Sequence, residues 1–292
     1  MSIQSAARAA YPKARRIHFR FADDDARQAP LEKYFVQGDM AFSHFVAGLS
    51  GGFPPGEEAF IRSVRRFADQ IADPVLKKRV AGFVGQEAVH GQEHRLLNDK
   101  LIEMGYRIEW LEPGPERLER TIRFENALPP RIPLAFTAAA EHFTAVLAER
   151  ILSSDEIQGI PADSETWNLL NWHAFEELEH KSVAFDVYRS VGGTERMRIG
   201  VMAFILASIT PLTFVTLGVS MLRDPVARRR PVSATRQAYQ LFRGPVFKGV
   251  MKELVKYQRP GFHPDDIETG ALLDAWQQQL FGPDGVLVDH LK

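Results

Sequence analysis

Apolar residues recur at three- and four-residue steps along four stretches of the chain, a spacing that places them on one face of an α-helix. The stretches run from Glu57 to Ile71, from Val80 to Leu101, from Leu134 to Leu152 and from Leu169 to Val187. The alternation typical of strands is scarce, and no short repeat is visible. The pattern predicts an all-α fold, a four-helix bundle with one long crossover.

Turn-forming residues predict where these elements begin and end. Residues 1–52 read as an N-terminal lead-in, with a short helix at Met40–Leu49 that is expected to end at Ser50-Gly51-Gly52. Residues 53–193 form the predicted bundle. Tyr106–Pro133 is too long for a hairpin loop and is predicted to be the crossover, with a helix near Glu116–Asn126.

The C-terminal region, residues 194–292, begins with an apolar segment. Ile199–Leu222 has no charged residue over 24 positions, which is long enough to span a bilayer, but Pro211 divides it. The segment is therefore either a fifth helix on the bundle or a membrane-associated helix. An amphipathic stretch at Ala238–Tyr257 and a basic tract from Arg223 to Arg243 follow, and the tract could touch anionic lipid or simply be solvated.

Composition excludes several classes of function. The chain has 292 residues, a formal net charge of −1 and no cysteine. The near-zero charge gives no general attraction to nucleic acid, so we predict no nucleic-acid partner. The absence of cysteine excludes thiolate metal sites and iron–sulfur clusters, so any metal must be held by histidine and carboxylates. The N-terminus lacks a secretory signal, which predicts a location in the cytoplasm or at the cytoplasmic face of the inner membrane.

Glu-x-x-His occurs twice, at Glu87–His90 and Glu177–His180. Helical positions three apart project to the same side, so each pair can offer a carboxylate oxygen and an imidazole nitrogen to one ion. A single pair would be weak evidence, but both lie within apolar stripes. The spacing therefore predicts metal ligands on two helices.

Glu57 and Glu141 are predicted to complete the site. Both interrupt apolar stripes, where an ionised glutamate is unfavourable unless paired or coordinated. Glu57 is preferred to Glu58 because its stripe continues through Phe60. Two divalent ions carry four positive charges, which four glutamates would balance. The alternative is that these are ordinary surface carboxylates and core histidines of a structural bundle.

His94 and His173 lie one turn from predicted ligands on the same inward stripes. They are candidates for extra ligands, proton relays or partners that orient the carboxylates, and the alternative is an ordinary buried histidine. His142 and Glu176 are expected to point away from the site, since each lies about 100° from the inward stripe.

The sequence resembles the bacterial family labelled predicted metal-dependent hydrolases, within the ferritin-like superfamily. The motifs that carry the resemblance are Phe53-Pro54-Pro55-Gly56-Glu57, Gln86-Glu87-Ala88-Val89-His90 with His94, Ala140-Glu141-His142-Phe143, Trp172-His173-Ala174-Phe175-Glu176-Glu177-Leu178-Glu179-His180-Lys181 and Tyr257-Gln258-Arg259-Pro260-Gly261-Phe262-His263-Pro264. The resemblance implies a ferritin-like bundle, hydrolytic activity and a role for His263.

Three functions are compatible with this sequence. The residues favour an O2-activating oxidase or oxygenase, because carboxylates and imidazoles suit a pair of iron ions, with manganese or zinc as alternatives. The second hypothesis is a dinuclear metal-dependent hydrolase. The third is a non-catalytic iron-binding or membrane scaffold protein. The expected substrate is a small molecule or a lipid, the latter if residues 199–222 associate with a membrane.

Overall fold

Four long helices run side by side in the computed structural model, which describes residues 11–21 and 31–292. They are α1 (Met40–Arg65), α2 (Pro74–Glu103), α4 (Arg131–Leu152) and α6 (Ser164–His180). A short helix, α7 (Val183–Ser190), continues α6 after a break at Lys181 and Ser182. The predicted all-α class is confirmed, since the described residues form only two isolated β-bridges. The specifically ferritin-like arrangement stays a prediction.

The predicted crossover contains α3 (Pro115–Ala127), which buries none of its residues. It is held to α1 by an ion pair between Arg62 and Glu125 with an N···O distance of 2.8 Å. After α4, the short helix α5 (Asp155–Gln158) leads into α6.

The predicted end of a helix at Ser50-Gly51-Gly52 is wrong. Helix α1 continues through Pro54 and Pro55, so the expected boundary at residue 52 falls inside it. Pro54 has no N–H to donate to the Ser50 carbonyl, but Asn98 Nδ2 of α2 donates to that oxygen at 3.0 Å. The neighbouring helix thus replaces the hydrogen bond that proline removes, and α1 stays continuous.

The C-terminal region packs on the bundle. Its long helix α8 (Glu195–Arg223) covers the apolar segment and is followed by α9 (Pro225–Arg229) and α10 (Pro231–Arg243). The predicted amphipathic stretch at Ala238–Tyr257 is not one element, because Gly244 and Pro245 separate α10 from α11 (Val250–Lys256). Helix α12 (Gly270–Phe281) and three 3₁₀ turns, at Ala68–Gln70, Pro264–Asp266 and Val288–His290, complete the described chain.

The described part of the N-terminal region, residues 11–21, lies along α2. A Cβ at Gly82 would stand 2.1 Å from the Pro12 carbonyl oxygen, and one at Gly85 would stand 2.7 Å from the Ala14 Cβ. Two glycines one turn apart therefore let the segment lie directly on the helix. Ile17 also bridges to Leu291 near the C-terminus. This packing brings Arg15 into the bundle interior, where it is 8% exposed.

Candidate metal centre

The six predicted ligands meet inside the bundle. Glu57 comes from α1, Glu87 and His90 from α2, Glu141 from α4, and Glu177 and His180 from α6. None is more than 3% exposed. The rival Glu58 lies outside, where it pairs with Arg95 at 2.6 Å. The helical phase of the apolar stripes therefore identified the inward-facing residue of the two.

These side chains form two adjoining groups with metal-ligand spacing. In each group, one potential ligand atom per residue lies within 4.8 Å of the others. The first group is Glu57, His90 and His173, and the second is Glu87, Glu177 and His180. Glu141 adjoins the second group, with its Oε2 3.3 Å from His180 Nε2. His173 thus takes the position of an additional ligand.

Glu87 and Glu177 each reach towards both groups. Glu87 Oε1 is 3.1 Å from His180 Nε2, and its Oε2 is 3.9 Å from His90 Nδ1. Glu177 Oε1 lies 2.9 Å from His173 Nε2, and its Oε2 lies 3.5 Å from His180 Nε2. Thr144 donates a hydrogen bond to Glu177 Oε2 and holds it in place. Glu87 and Glu177 could therefore each contribute a ligand atom to either of two ions.

The donor atoms fit a pair of cations. Eight buried oxygen and nitrogen atoms of Glu57, Glu87, His90, Glu141 and His180 have no hydrogen-bond partner. Buried polar atoms are ordinarily paired, because an unpaired one loses its hydration without compensation. Eight such atoms in one cluster, all of them metal-ligating types, are explained by coordination. Oxygen and imidazole ligands suit iron, manganese or zinc.

The pKa shifts of these buried side chains result from the same crowding of charge. Burial raises the pKa of Glu57 and of Glu141 well above the ordinary value, and the neighbouring Glu87 and Glu177 carboxylates raise both further. Burial opposes the charged form of His180, but Glu177 and Glu141 outweigh it and hold the pKa of that imidazole well above its usual range. Without metal, the cluster must take up protons to reduce its negative charge.

Hydrogen bonds on the far side of each ring set the tautomers of His180 and His90. Gln86 Nε2 donates to Glu179 at 2.6 Å, so Gln86 Oε1, 3.0 Å from His180 Nδ1, accepts from that nitrogen. His90 Nε2 similarly donates to Glu176 Oε2 at 3.1 Å. In the neutral form of each ring, the opposite nitrogen carries the lone pair, and in both residues that nitrogen faces the carboxylates.

A longer chain of hydrogen bonds sets the tautomer of His173. The Ser50 hydroxyl donates to Asn98 Oδ1 at 2.7 Å and accepts from His94 Nδ1 at 2.9 Å. His94 Nε2 then accepts from His173 Nδ1 at 2.7 Å. This leaves His173 Nε2 free to bind metal, 3.5 Å from Glu57 Oε1. His94 orients His173 and is not itself part of either group.

Arg15 holds the residues that orient His90 of α2 and His180 of α6. Its guanidinium donates to Glu176 at 2.8 Å and to the two carboxylate oxygens of Glu179 at 2.7 and 2.8 Å. Glu176 holds His90, and Glu179 holds Gln86 and through it His180. One side chain from the N-terminal segment therefore positions a histidine in each group.

Glu176 belongs to neither group, but it contacts the site through His90. Glu176 is fully buried, because α2 and the N-terminal segment cover that face of α6. The sequence patterns do not predict the roles of Arg15 and Gln86. A Gln directly before a Glu-x-x-His was a usable signal for Gln86, whereas no local pattern distinguishes Arg15. His142 lies elsewhere, packed against the ring of Tyr257, and His263 hydrogen-bonds to Asp186 at 2.9 Å.

Comparison with known proteins agrees with a metal site. Residues 13–268 match the model of a family described as predicted metal-dependent hydrolase. The match includes every residue of the centre, from Arg15 to His180. No curated protein and no solved structure matches the chain.

Proposed function

Since this chain belongs to the family of predicted metal-dependent hydrolases, we propose that it is a hydrolase with two metal ions held between α1, α2, α4 and α6. The observation that carries the proposal is the cluster of eight buried donor atoms without hydrogen-bond partners. Glu57, His90 and His173 would hold one ion, and Glu141 and His180 the other. Glu87 and Glu177 would be shared between them.

Two bound ions would supply a hydroxide from water at neutral pH and would draw charge from a carbonyl or phosphoryl oxygen. The protein provides the other requirements. Four carboxylates balance the charge of two divalent ions, and the fixed histidine tautomers direct lone pairs to them. The centre is buried, which keeps bulk water away from the reacting groups. His173 and Glu177 also line an apolar cavity, so a substrate would approach from their side.

The test uses protein loaded with zinc or manganese and assayed on ester and phosphoester substrates under strict anaerobiosis. We expect turnover that depends on metal and needs no oxygen. In a matched pair of variants, Glu57→Ala should bind fewer than two ions and lose at least about a hundredfold in rate. The neighbouring Glu58→Ala should retain both ions and the wild-type rate.

The same assay separates the other two hypotheses. The donor set is also compatible with an oxygen-activating di-iron protein, but the family description favours hydrolysis. Oxygen uptake and ferric absorption on aerating the iron-loaded protein, with no anaerobic hydrolysis, would support the oxidase or oxygenase instead. Stoichiometric metal uptake with no turnover in either assay would support a non-catalytic metal-binding protein.

A further inference from the structure

An apolar cavity of about 390 Å³ extends from the metal centre. His173 and Glu177 form its end at the metal centre. The rest of its wall is mostly apolar, and its other polar side chains are His44, Thr144, Thr213 and Thr216. Apolar wall residues come from α1, α4, α6 and α8, among them Phe53, Phe143, Leu147, Leu170 and Leu217. Its volume is typical of small-molecule sites, which are roughly 300–1,000 Å³. A mostly apolar cavity that ends at the metal centre suits a substrate with a long apolar chain and a single reacting group.

Helix α8 connects this cavity to the protein surface. Leu212 lines the cavity and is also 56% exposed. Other large apolar side chains of α8 are exposed around it. Together they form what we call the outer face of α8: Phe204, Leu212, Phe214, Val215 and Leu222. An exposed apolar patch of this kind marks a surface for binding protein or membrane.

Helix α8 lies along the bundle, with its outer face exposed. Helix α8 is long and apolar enough to cross a membrane, the one such helix in the described parts of the chain. However, Met202 is fully buried in the core cluster that contains Leu134 and Ala135 of α4, and Ser220 hydrogen-bonds to His44 at 2.7 Å. Because both ends of the helix are packed on the bundle, α8 is placed to rest in a bilayer surface with only its outer face inserted.

Positively charged side chains lie beside this face. Six arginines between residues 223 and 243 are exposed: Arg223, Arg228, Arg229, Arg230, Arg236 and Arg243. The one acidic residue in that stretch, Asp224, is buried and paired with Lys33 at 2.7 Å. The ring of Phe242 in α10 packs against that of Phe214 in α8, with the ring centroids 4.2 Å apart, which places the basic helix beside the outer face. An apolar face bordered by arginines is complementary to an anionic bilayer.

We propose that the protein docks on anionic membranes through the outer face of α8 and hydrolyses an acyl ester lipid drawn from that surface. The acyl chain would occupy the cavity, with its ester at His173 and Glu177. Water would add to the acyl carbonyl carbon, the bond from that carbon to the ester oxygen would break, and a proton from water would pass to the leaving alcohol. The identity of the substrate rests on the proposed hydrolytic function.

Docking is tested by sedimenting full-length, metal-loaded protein with vesicles. We expect binding to vesicles containing phosphatidylglycerol, and much weaker binding to pure phosphatidylcholine vesicles or in high salt. Val215→Glu/Leu222→Glu should reduce binding at least about tenfold, whereas Phe124→Glu, at a residue 65% exposed on α3, should leave it unchanged. Arg228→Glu/Arg229→Glu should reduce binding by about twentyfold or more, because each basic residue near an anionic surface contributes roughly fivefold.

Wild-type protein that stays in the supernatant with anionic vesicles would overturn the docking, and so would a Val215→Glu/Leu222→Glu variant that still sediments. Metal content and circular dichroism show that the variants are folded. The oligomeric state is measured on the same samples. If the outer face instead joins two copies of the chain, the wild type will be a dimer that does not bind vesicles, and the double variant will be a monomer.

The cavity is tested separately, on esters of short and long acyl chains in detergent. Gly52 lines the cavity, and a Cβ there would meet nothing within 4 Å, so Gly52→Leu fills the cavity without a backbone clash. Its control is Gly56→Leu, one turn along α1, where a Cβ also meets nothing within 4 Å. Gly52→Leu should bind two ions but lose about tenfold or more in long-chain turnover relative to acetate esters.

An unchanged ratio of long-chain to acetate turnover in Gly52→Leu would overturn the assignment of the cavity. A further outcome is wild-type protein that hydrolyses acetate esters without sedimenting with vesicles and without preferring long-chain esters. That result would leave the proposed function intact and overturn this inference. If phosphoesters but no acyl esters are hydrolysed, the lipid substrate falls and the proposed function stands. If neither is hydrolysed, both fall, and sedimentation alone decides the docking.

Discussion

At the scale of single residues, ligand geometry depends on side chains that do not themselves face the ions. The lone pairs of His90 and His180 face inward because Glu176 and Gln86 hold the opposite ring nitrogens. Arg15 fixes Glu176 directly and Gln86 through Glu179. Groups that orient metal-bound histidines commonly contribute about 10–100-fold in affinity.

We therefore predict that Arg15→Ala lowers metal affinity about 10–100-fold, because both histidines lose part of their support. Chelator competition measures the affinity, and ¹⁵N NMR of the histidine rings reports their tautomers, which a purely structural loss would not change. Arg16→Ala removes an exposed side chain and is the matched control. Equal affinities and unchanged tautomers in the two variants would contradict the role given to Arg15.

At the scale of elements, α1 shows how a tertiary contact can override local signals. Ser50-Gly51-Gly52 and the two prolines favour the end of a helix, yet α1 passes through them. Asn98 donates to the Ser50 carbonyl that Pro54 leaves free, and it also accepts from the Ser50 hydroxyl. The same residue thus supports helix continuity and the tautomer of His173.

Asn98→Leu should lower the free energy of unfolding by about 1–3 kcal/mol, because the buried Ser50 carbonyl loses its donor. Urea denaturation measures this. Asn126→Leu, at an exposed position of α3, should change stability by less than about 0.5 kcal/mol. In a Pro54→Ala background the restored N–H can bond to Ser50, so Asn98→Leu should be less destabilising there. A loss of the same size in both backgrounds would refute this compensation.

At the scale of the whole molecule, the metal centre couples stability to pH. The raised pKa values of Glu57 and Glu141 mean that the folded, metal-free protein binds protons that the unfolded chain releases. The raised pKa of His180 acts in the same direction. Burial lowers the pKa of His90 and His94, so above about pH 7 these rings are neutral in both states and add no slope.

The stability of metal-free protein should therefore fall as the pH rises from about 7 to about 9, and metal should reverse the trend. Thermal unfolding with and without chelator measures this, with a shift in Tm of roughly 2–4 °C per kcal/mol. Glu57→Gln/Glu141→Gln, neutral at every pH, should flatten the slope of the metal-free protein. Metal-free wild-type protein that gains stability over this range would show that the sign is wrong.

The helical class, the four ligand-bearing helices and the inward position of Glu57 rather than Glu58 can all be predicted from the order of residues alone. These follow from local spacing, because a helix turns about 100° per residue and a stripe of apolar side chains marks its buried face. Glu-x-x-His pairs are readable for the same reason, since both residues belong to one turn of one helix.

Three features depend on how distant segments pack: His173 joins the first group, Glu176 is buried, and Arg15 supports both histidines. Arg15 contacts residues more than 160 positions away, and no periodicity along the chain encodes such a separation. Glu176 lies on a face that a simple bundle would leave towards solvent, and the N-terminal segment on α2 covers it. Local spacing fixes the face on which a side chain lies, whereas the packing of distant segments decides what that face meets.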